Sequence, residues 1–256
     1  MKTLQITKGV VKDYMKRISL ITVYNNQELL DSMIASSKSQ TNVVIDYVMI
    51  DNRNHRYSSA AAALNYGVTQ AVGDVLVFLH QDVEFLSESL LERIYDFALA
   101  NKNVIFGAAG VKRKYKQSNH NDMISSMYHG LDKDKYNSID KPTDVFSLDE
   151  CLFAFHRECS HDISFDEKVC DGWHLYAVDL CLQAQLIPRL SVMVIPMDDV
   201  WHKSNGNADK SYYDTQNRLA KKYKGDYKII NSTNGFQYTN AFMRCLLNLY
   251  RRIRYK

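Results

Sequence analysis

The chain is poor in the residues that break or staple a fold. Three prolines and ten glycines serve 256 residues, so its loops are expected to be built mainly from Asn, Asp, Ser and Lys. Its cysteines, Cys151, Cys159, Cys170, Cys181 and Cys245, are five in number and form no C-x-x-C pair. That excludes a disulfide framework or zinc site and predicts reduced thiols in a cytosolic protein. Nor does one charge dominate: 32 basic side chains face 29 acidic ones, a net +3. A supercharged nucleic-acid binder is thereby excluded, and no nucleic-acid partner is expected. The longest apolar runs, such as Val75 to Leu79, fall far short of the ~20 residues that span a bilayer. The opening segment MKTLQITKGVVKDYMKR lacks an apolar h-region, so no secretory signal peptide is expected. The G-x-G-x-x-G fingerprint and the P-loop are both missing, which argues against a dehydrogenase or an NTPase. There is no G-x-S-x-G nucleophile site, and internal repeats and low-complexity segments are absent.

What is present is an ordinary globular balance, 46% hydrophobic and 24% charged. A chain this long should bury roughly three quarters of its unfolded surface. Short apolar runs alternate with helical stretches. Strands are predicted over Ile18–Tyr24, Asp46–Ile50, Val75–Leu79, Val104–Ala108 and Val192–Ile195, with further structure over Val145–Phe155. Helices are predicted near Gln27–Ser39, Ser58–Ala71, Glu88–Ala100 and Trp173–Leu186, the last with Trp173, Ala177, Leu180, Ala184 and Ile187 as one apolar stripe. The lysine-rich stretch from Lys112 to Thr143 is weakly periodic and predicts a long functional or mobile loop. The alternation implies βαβ units in a largely parallel mixed sheet flanked by helices, a single α/β domain. In such sheets ligands sit beyond the carboxyl ends of the strands. Tyr24-Asn25, Asp51-Asn52 and His80-Gln81-Asp82 occupy those places, and Trp201-His202 comes after the last strand.

Taken alone, each of these residues has a plain structural reading. Asp82 is either a turn or capping residue or a holder of a divalent cation. A lone His202 after a strand is more often a packing residue than a ligand, and Asp51-Asn52 is a common strand-end turn. The Lys112-Arg113-Lys114 cluster is a solvated face or an approach to phosphate.

Together, in this order, they resemble the inverting glycosyltransferases of family 2, which have the GT-A fold, over about Ile18 to Gly206. Tyr24-Asn25 matches the end of the first strand. Ala63-Leu-Asn-Tyr-Gly67 through Ala71-Val-Gly-Asp74 is similar to the family's A-R-N-x-G…A-x-G-D/E helix, with Leu64 where arginine is usual. Phe78-Leu-His-Gln-Asp-Val83 stands where the family has F-L-D-x-D. Asp149-Glu150 precedes a run similar to the acceptor-side strand. Phe165-Asp-Glu167 and Gly172 to Leu182 resemble F-D-E…E-D-x-D-L, and His202-Lys-Ser204 resembles a late metal-ligand histidine.

The resemblance implies transfer from a UDP- or dTDP-linked sugar to a glycan or lipid-linked acceptor in surface polysaccharide synthesis. Asp82 and His202 would hold Mn2+ (or Mg2+) against the donor diphosphate. Asp51 would accept from the imide N–H of uracil or thymine. Tyr24, Asn25, Asn65, His80 and Gln81 would line the donor site, with His80 on ribose or phosphate. The expected base falls on Ala177, which accepts no proton. Asp171, His174 or Asp149 could act instead, the residue could have been replaced to trap a complex, or the protein could bind a nucleotide sugar without turnover.

The last segment differs in kind. Phe242, Leu246, Leu249 and Ile253 share one helical face, and no acidic residue occurs from Phe242 to Lys256. The expected organisation is a transferase domain over residues 1–230 and a basic amphipathic helical tail over 231–256. Such a tail suits peripheral contact with the inner face of the cell membrane, or packing on the domain or on another subunit as a homo-oligomer.

Overall fold

The computed structural model describes residues 15–112, 122–133, 135–203 and 208–254. The first half alternates strand and helix as predicted: β1 (Arg17–Tyr24), α1 (Gln27–Ser37), β2 (Val44–Asp51), α2 (Ala60–Gln70), β3 (Val75–Leu79), β4 (Val83–Phe85), α3 (Leu90–Ala100) and β5 (Val104–Gly107). Local chemistry sets the helix starts. The Asn26 side chain accepts from the backbone N–H of Glu28 and Leu29, and Ser59 accepts from that of Ala62, filling donors that have no partner within the helix. The chain continues through β6 (Ala109–Lys112), β7 (Met123–Ser125), β8 (Met127–His129), β9 (Lys135–Asn137), β10 (Thr143–Leu148) and β11 (Leu152–His156). It ends with α4 (Tyr176–Gln185), β12 (Ser191–Val194), β13 (Val200–His202), α5 (Lys210–Lys222), β14 (Ile229–Ser232), β15 (Gly235–Tyr238) and α6 (Ala241–Arg254).

Nine strands form the central sheet in the order β2-β1-β3-β11-β5-β12-β10-β6-β7. Six of them (β2, β1, β3, β5, β12 and β6) run one way, and β11, β10 and β7 run against them, so the sheet is mixed and mostly parallel. Every residue of β3 is buried. One core lies on each face: Phe78, Phe153, Phe155 and Phe165 pack under α2 and α4, while Leu20 and Val77 pack against Leu30 and Met33 of α1 and Leu91 and Ile94 of α3. Helix α2 lies close because Gly67 faces the sheet; a Cβ there would come to 2.6 Å from Ile21 Cγ2.

Several expectations needed correction. The stretch from Lys112 to Thr143 is not one structureless loop: β7 extends the large sheet, and β8 and β9 join β4 and β13 in a second sheet ordered β4-β13-β8-β9. Val145–Phe155 is two strands broken at Asp149-Glu150-Cys151. Helix α4 starts at Tyr176 rather than Trp173, because Leu175 adopts left-handed backbone (φ 66°) just before it. Trp173 therefore leaves the buried stripe and is 42% exposed, whereas Ala177, Leu180 and Ala184 are buried. Helix α5 and the β14–β15 hairpin are additions that the sequence pattern does not predict. No helix among the described residues is long and apolar enough to cross a membrane.

Candidate active site

The parallel strands β1, β2 and β3 end together, and three tethers fix the segments beyond their ends. Gln81 Oε1 accepts from the backbone N–H of Asn25 and Asn26 at 3.0 and 2.9 Å, and its Nε2 donates to Asn25 Oδ1 at 2.7 Å. The His80 N–H donates to Cys151 O at 2.9 Å, tying the end of β3 to the start of β11. Antiparallel pairing of β4 with β13 sets His202 opposite Val83, and the Lys203 N–H donates to Asp82 O at 3.2 Å. A histidine far downstream is thus brought beside Asp82 by a three-residue strand.

His80, Asp82 and His202 form a cluster whose donor atoms all lie within 4.8 Å of one another. His202 Nε2 is 3.5 Å from Asp82 Oδ1, and the two side chains are only 8% and 12% exposed. Burial works against a charged His202, but the Asp82 carboxylate outweighs it and the pKa is raised. His80 moves the other way: burial holds its pKa down, and the neighbouring His202 adds to this. Two imidazoles and a nearly buried carboxylate at this spacing fit a divalent cation such as Mn2+, and imidazole suits Mg2+ poorly.

Beside the cluster is a cavity of about 410 Å³. Its walls come from the end of β1 (Val23, Tyr24, Asn25), the β2–α2 segment (Asn52, His55, Ala60, Leu64), the end of β3 (Phe78 to Asp82), and Trp173 and Tyr176. Of these, Trp173, His55 and Tyr176 are site residues that the sequence reading misses. Tyr176 Oη lies 3.1 Å from His80 Nε2, so it orients that imidazole. His55 has a positive φ of 53°, a conformation uncommon outside glycine. Asn52 shapes this loop by accepting from the Tyr57 N–H (2.8 Å) and donating to Tyr57 O (3.2 Å). His129 stands beside His202 across the β8–β13 ladder. No sequence pattern around either histidine could have signalled that pairing.

The other expected residues are more scattered. Asp51 ends β2 and is not among the residues that line the cavity; its carboxylate is held by the Arg53 guanidinium at 2.5 Å and its pKa is drawn down to about 2. Asn65 does not line the cavity; its amide donates to Phe165 O and Glu167 Oε1 and clamps that segment onto α2. Ala177 is fully buried in the core. Asp171 pairs with Arg218, and His174 Nε2 lies 3.4 Å from Asp209 Oδ1, so both face α5. Asp149 accepts from Thr233 Oγ1 (2.7 Å) and the Cys151 N–H (3.0 Å). Asp179, on the same helix as Ala177, is fully buried on Lys222 Nζ (2.7 Å) and Tyr223 Oη (2.8 Å). Arg113 and Lys114, and Ser204 to Gly206, lie outside the described residues.

Glu150, in sequence only the neighbour of Asp149, is the most unusual acid among the described residues. Its Oε1 is buried without a hydrogen-bond partner. Burial pushes the carboxyl up to about 8, the Asp149 charge adds to this, and the N–H groups of Tyr176, Leu175 and Ala177 pull the other way. The carboxyl therefore sits at the first turn of α4, beside position 177.

A family model described as "Glycosyltransferase like family" matches residues 19–223, about four-fifths of the chain. The chain belongs to this family. It is 26% identical over 192 residues to a Fuscovulum blasticum protein named "ATP synthase subunits region ORF 6", a match covering 70% of this chain and 71% of that protein. Solved structures with the same GT-A fold include GalNAc-T7 with UDP, GalNAc and Mn2+ (TM-score 0.56) and S. aureus TarS (TM-score 0.55). Each is 12% identical and matches 83% of this chain, which spans 48% and 40% of their respective lengths. The cavity-lining residues and the histidine–aspartate cluster lie within the residues the family model matches.

Proposed function

We propose that this chain is a metal-dependent, inverting glycosyltransferase moving a sugar from a UDP- or dTDP-linked donor to a glycan or lipid-linked acceptor in surface polysaccharide synthesis. The observation that carries the reading is the convergence of His80, Asp82 and His202 at the mouth of the strand-end cavity. These three residues would hold the cation, Mn2+ in preference to Mg2+. When bound, it supplies Lewis-acid stabilisation of the charge left on the departing diphosphate. Tyr24 and Asn25 form the wall for the nucleoside, and Gln81, which also lines the cavity, fixes that wall. Asp51 accepts the pyrimidine imide N–H while sharing its carboxylate with Arg53. Tyr176 keeps the His80 ring in place. A cytosolic setting is supported by the cysteines of the fold, which are all free thiols, four of them buried.

Inversion requires a base for the acceptor hydroxyl. With Ala177 unable to serve, Glu150 takes this role. It supplies a carboxyl group to the same turn of α4 from the neighbouring strand end, and its raised pKa suits proton abstraction at mildly alkaline pH, where it is ionised.

The test is turnover of a panel of UDP-, dTDP- and GDP-sugars by the purified protein, with Mn2+, Mg2+ or EDTA. The expected result is consumption of a UDP- or dTDP-sugar that stops in EDTA and returns with Mn2+. Full activity in EDTA would overturn the metal assignment. Metal-dependent binding with no turnover of any donor would instead establish a nucleotide-sugar-binding protein, the reading that Ala177 favours.

A further inference from the structure

Helix α6 is mounted with its polar side toward the protein. Arg244 donates to Thr239 O (2.8 Å), Asn248 donates to Asn217 Oδ1 (2.9 Å), and Arg251 donates to Phe236 O (2.6 Å) and Gln216 Oε1 (3.0 Å). These bonds fasten the helix to α5 and β15. The opposite face carries Phe242, Leu246, Leu249 and Ile253, which are 70%, 47%, 55% and 71% exposed. An amphipathic helix that serves its own domain turns the apolar stripe inward; this one turns it out.

Charge selects what covers that face. From Phe242 to Lys256 the sequence has five basic residues and no acid. Between α5 and α6 runs a groove of about 630 Å³ whose lining includes Arg218, Lys221, Arg244 and Arg252, against Asp214 as its one acidic residue. Two-fold pairing of such helices would set cation against cation, which disfavours a second copy. An acidic surface with an apolar interior satisfies both features at once.

We propose that α6 docks this protein on an anionic lipid bilayer, its apolar face entering the headgroup–acyl boundary and the α5–α6 groove taking lipid phosphates. Arg218, which lines the groove, also pairs with Asp171, two residues from cavity-lining Trp173. Docking is independent of the transfer chemistry and is read without any substrate.

Flotation of the full chain with phosphatidylcholine vesicles, with and without roughly one-third phosphatidylglycerol, tests this. The expected result is binding at least about ten-fold stronger to the anionic vesicles and weakened by salt, since each cation near such a surface is worth roughly five-fold. Leu246→Glu and Ile253→Glu, on the exposed face, should abolish flotation without moving the thermal midpoint. Arg252→Gln should weaken it by roughly five-fold. Equal binding to both vesicle types, no binding to either, or flotation unchanged in the two glutamate variants would overturn the proposal. So would a wild-type dimer that Leu246→Glu disperses, which would assign the face to a second copy.

Discussion

Asp82 and Asp179 show how one residue type takes two roles according to its partners. Asp82 has the His202 imidazole beside it and lines the cavity. Asp179 spends its charge on Lys222, which also reaches Asp166 at 2.9 Å and locks α4 to α5. Lys222→Met leaves a fully buried carboxylate with only Tyr223 and Gln183 to satisfy it. It should cost about 3 kcal/mol in urea unfolding, and the Asp179→Asn/Lys222→Met pair should cost less than the two single changes combined. Glu150 behaves oppositely. Its native pKa of about 8 lies above its unfolded value, so the folded state holds a proton that the unfolded state has released. The native state consequently loses stability as pH rises from about 4.5 to 8, by about 1.4 kcal/mol per pH unit at most. Glu150→Gln should remove that slope: its thermal midpoint should exceed the wild type's near pH 8 and match it below about pH 4. The same substitution should lower turnover by roughly 10²-fold or more and abolish the rise of activity toward alkaline pH. Unchanged turnover would take the base away from Glu150.

The elements differ in how much of themselves the sequence reveals. β1 and β3 show as short, mostly apolar runs bounded by Asn25-Asn26 or Gly73-Asp74, and α3 shows because its apolar residues recur with the helical period. Helix α5 hides because the face it buries is half polar: Thr215 and Gln216 lie inside beside Tyr212, Leu219 and Ala220. Its apolar period is therefore faint. Strands β7, β8, β9 and β13 have three residues each, too short for any alternation to register. Their pairing partners, distant in the chain, define them. The α2–sheet contact does leave a mark, in Gly67. Gly67→Ala forces a methyl against Ile21 and Ile50 at 2.6 and 2.9 Å. It should cost about 1–3 kcal/mol despite alanine's better helix propensity, a balance that denaturant titration would read directly. A neutral or stabilising result would show that α2 can lift away from the sheet without loss.

On the scale of the whole molecule, the site is a meeting of strand ends. Those belonging to the parallel strands are legible in the sequence: Tyr24, Asn25, His80, Gln81 and Asp82 are placed by the rule that such sheets bind at their carboxyl edge, and all line the cavity. The resemblance to a family in the order of its motifs supplies His202, which no local pattern distinguishes from a packing histidine. Tyr176, Trp173 and Glu150 stay hidden because a left-handed Leu175 shortens α4 and because the strand break at Asp149-Glu150 folds back onto that helix. The central claim is that His80, Asp82 and His202 hold a cation against a nucleoside diphosphate. Calorimetric titration of UDP into the protein, with Mn2+ or with EDTA, tests it most directly when repeated on Asp82→Ala. Mn2+ should tighten UDP binding by at least about ten-fold in the wild type, and the gain should disappear in Asp82→Ala while the thermal midpoint without metal is kept. Equal UDP affinity in Mn2+ and EDTA, or an Mn2+ gain that survives in Asp82→Ala, would contradict it.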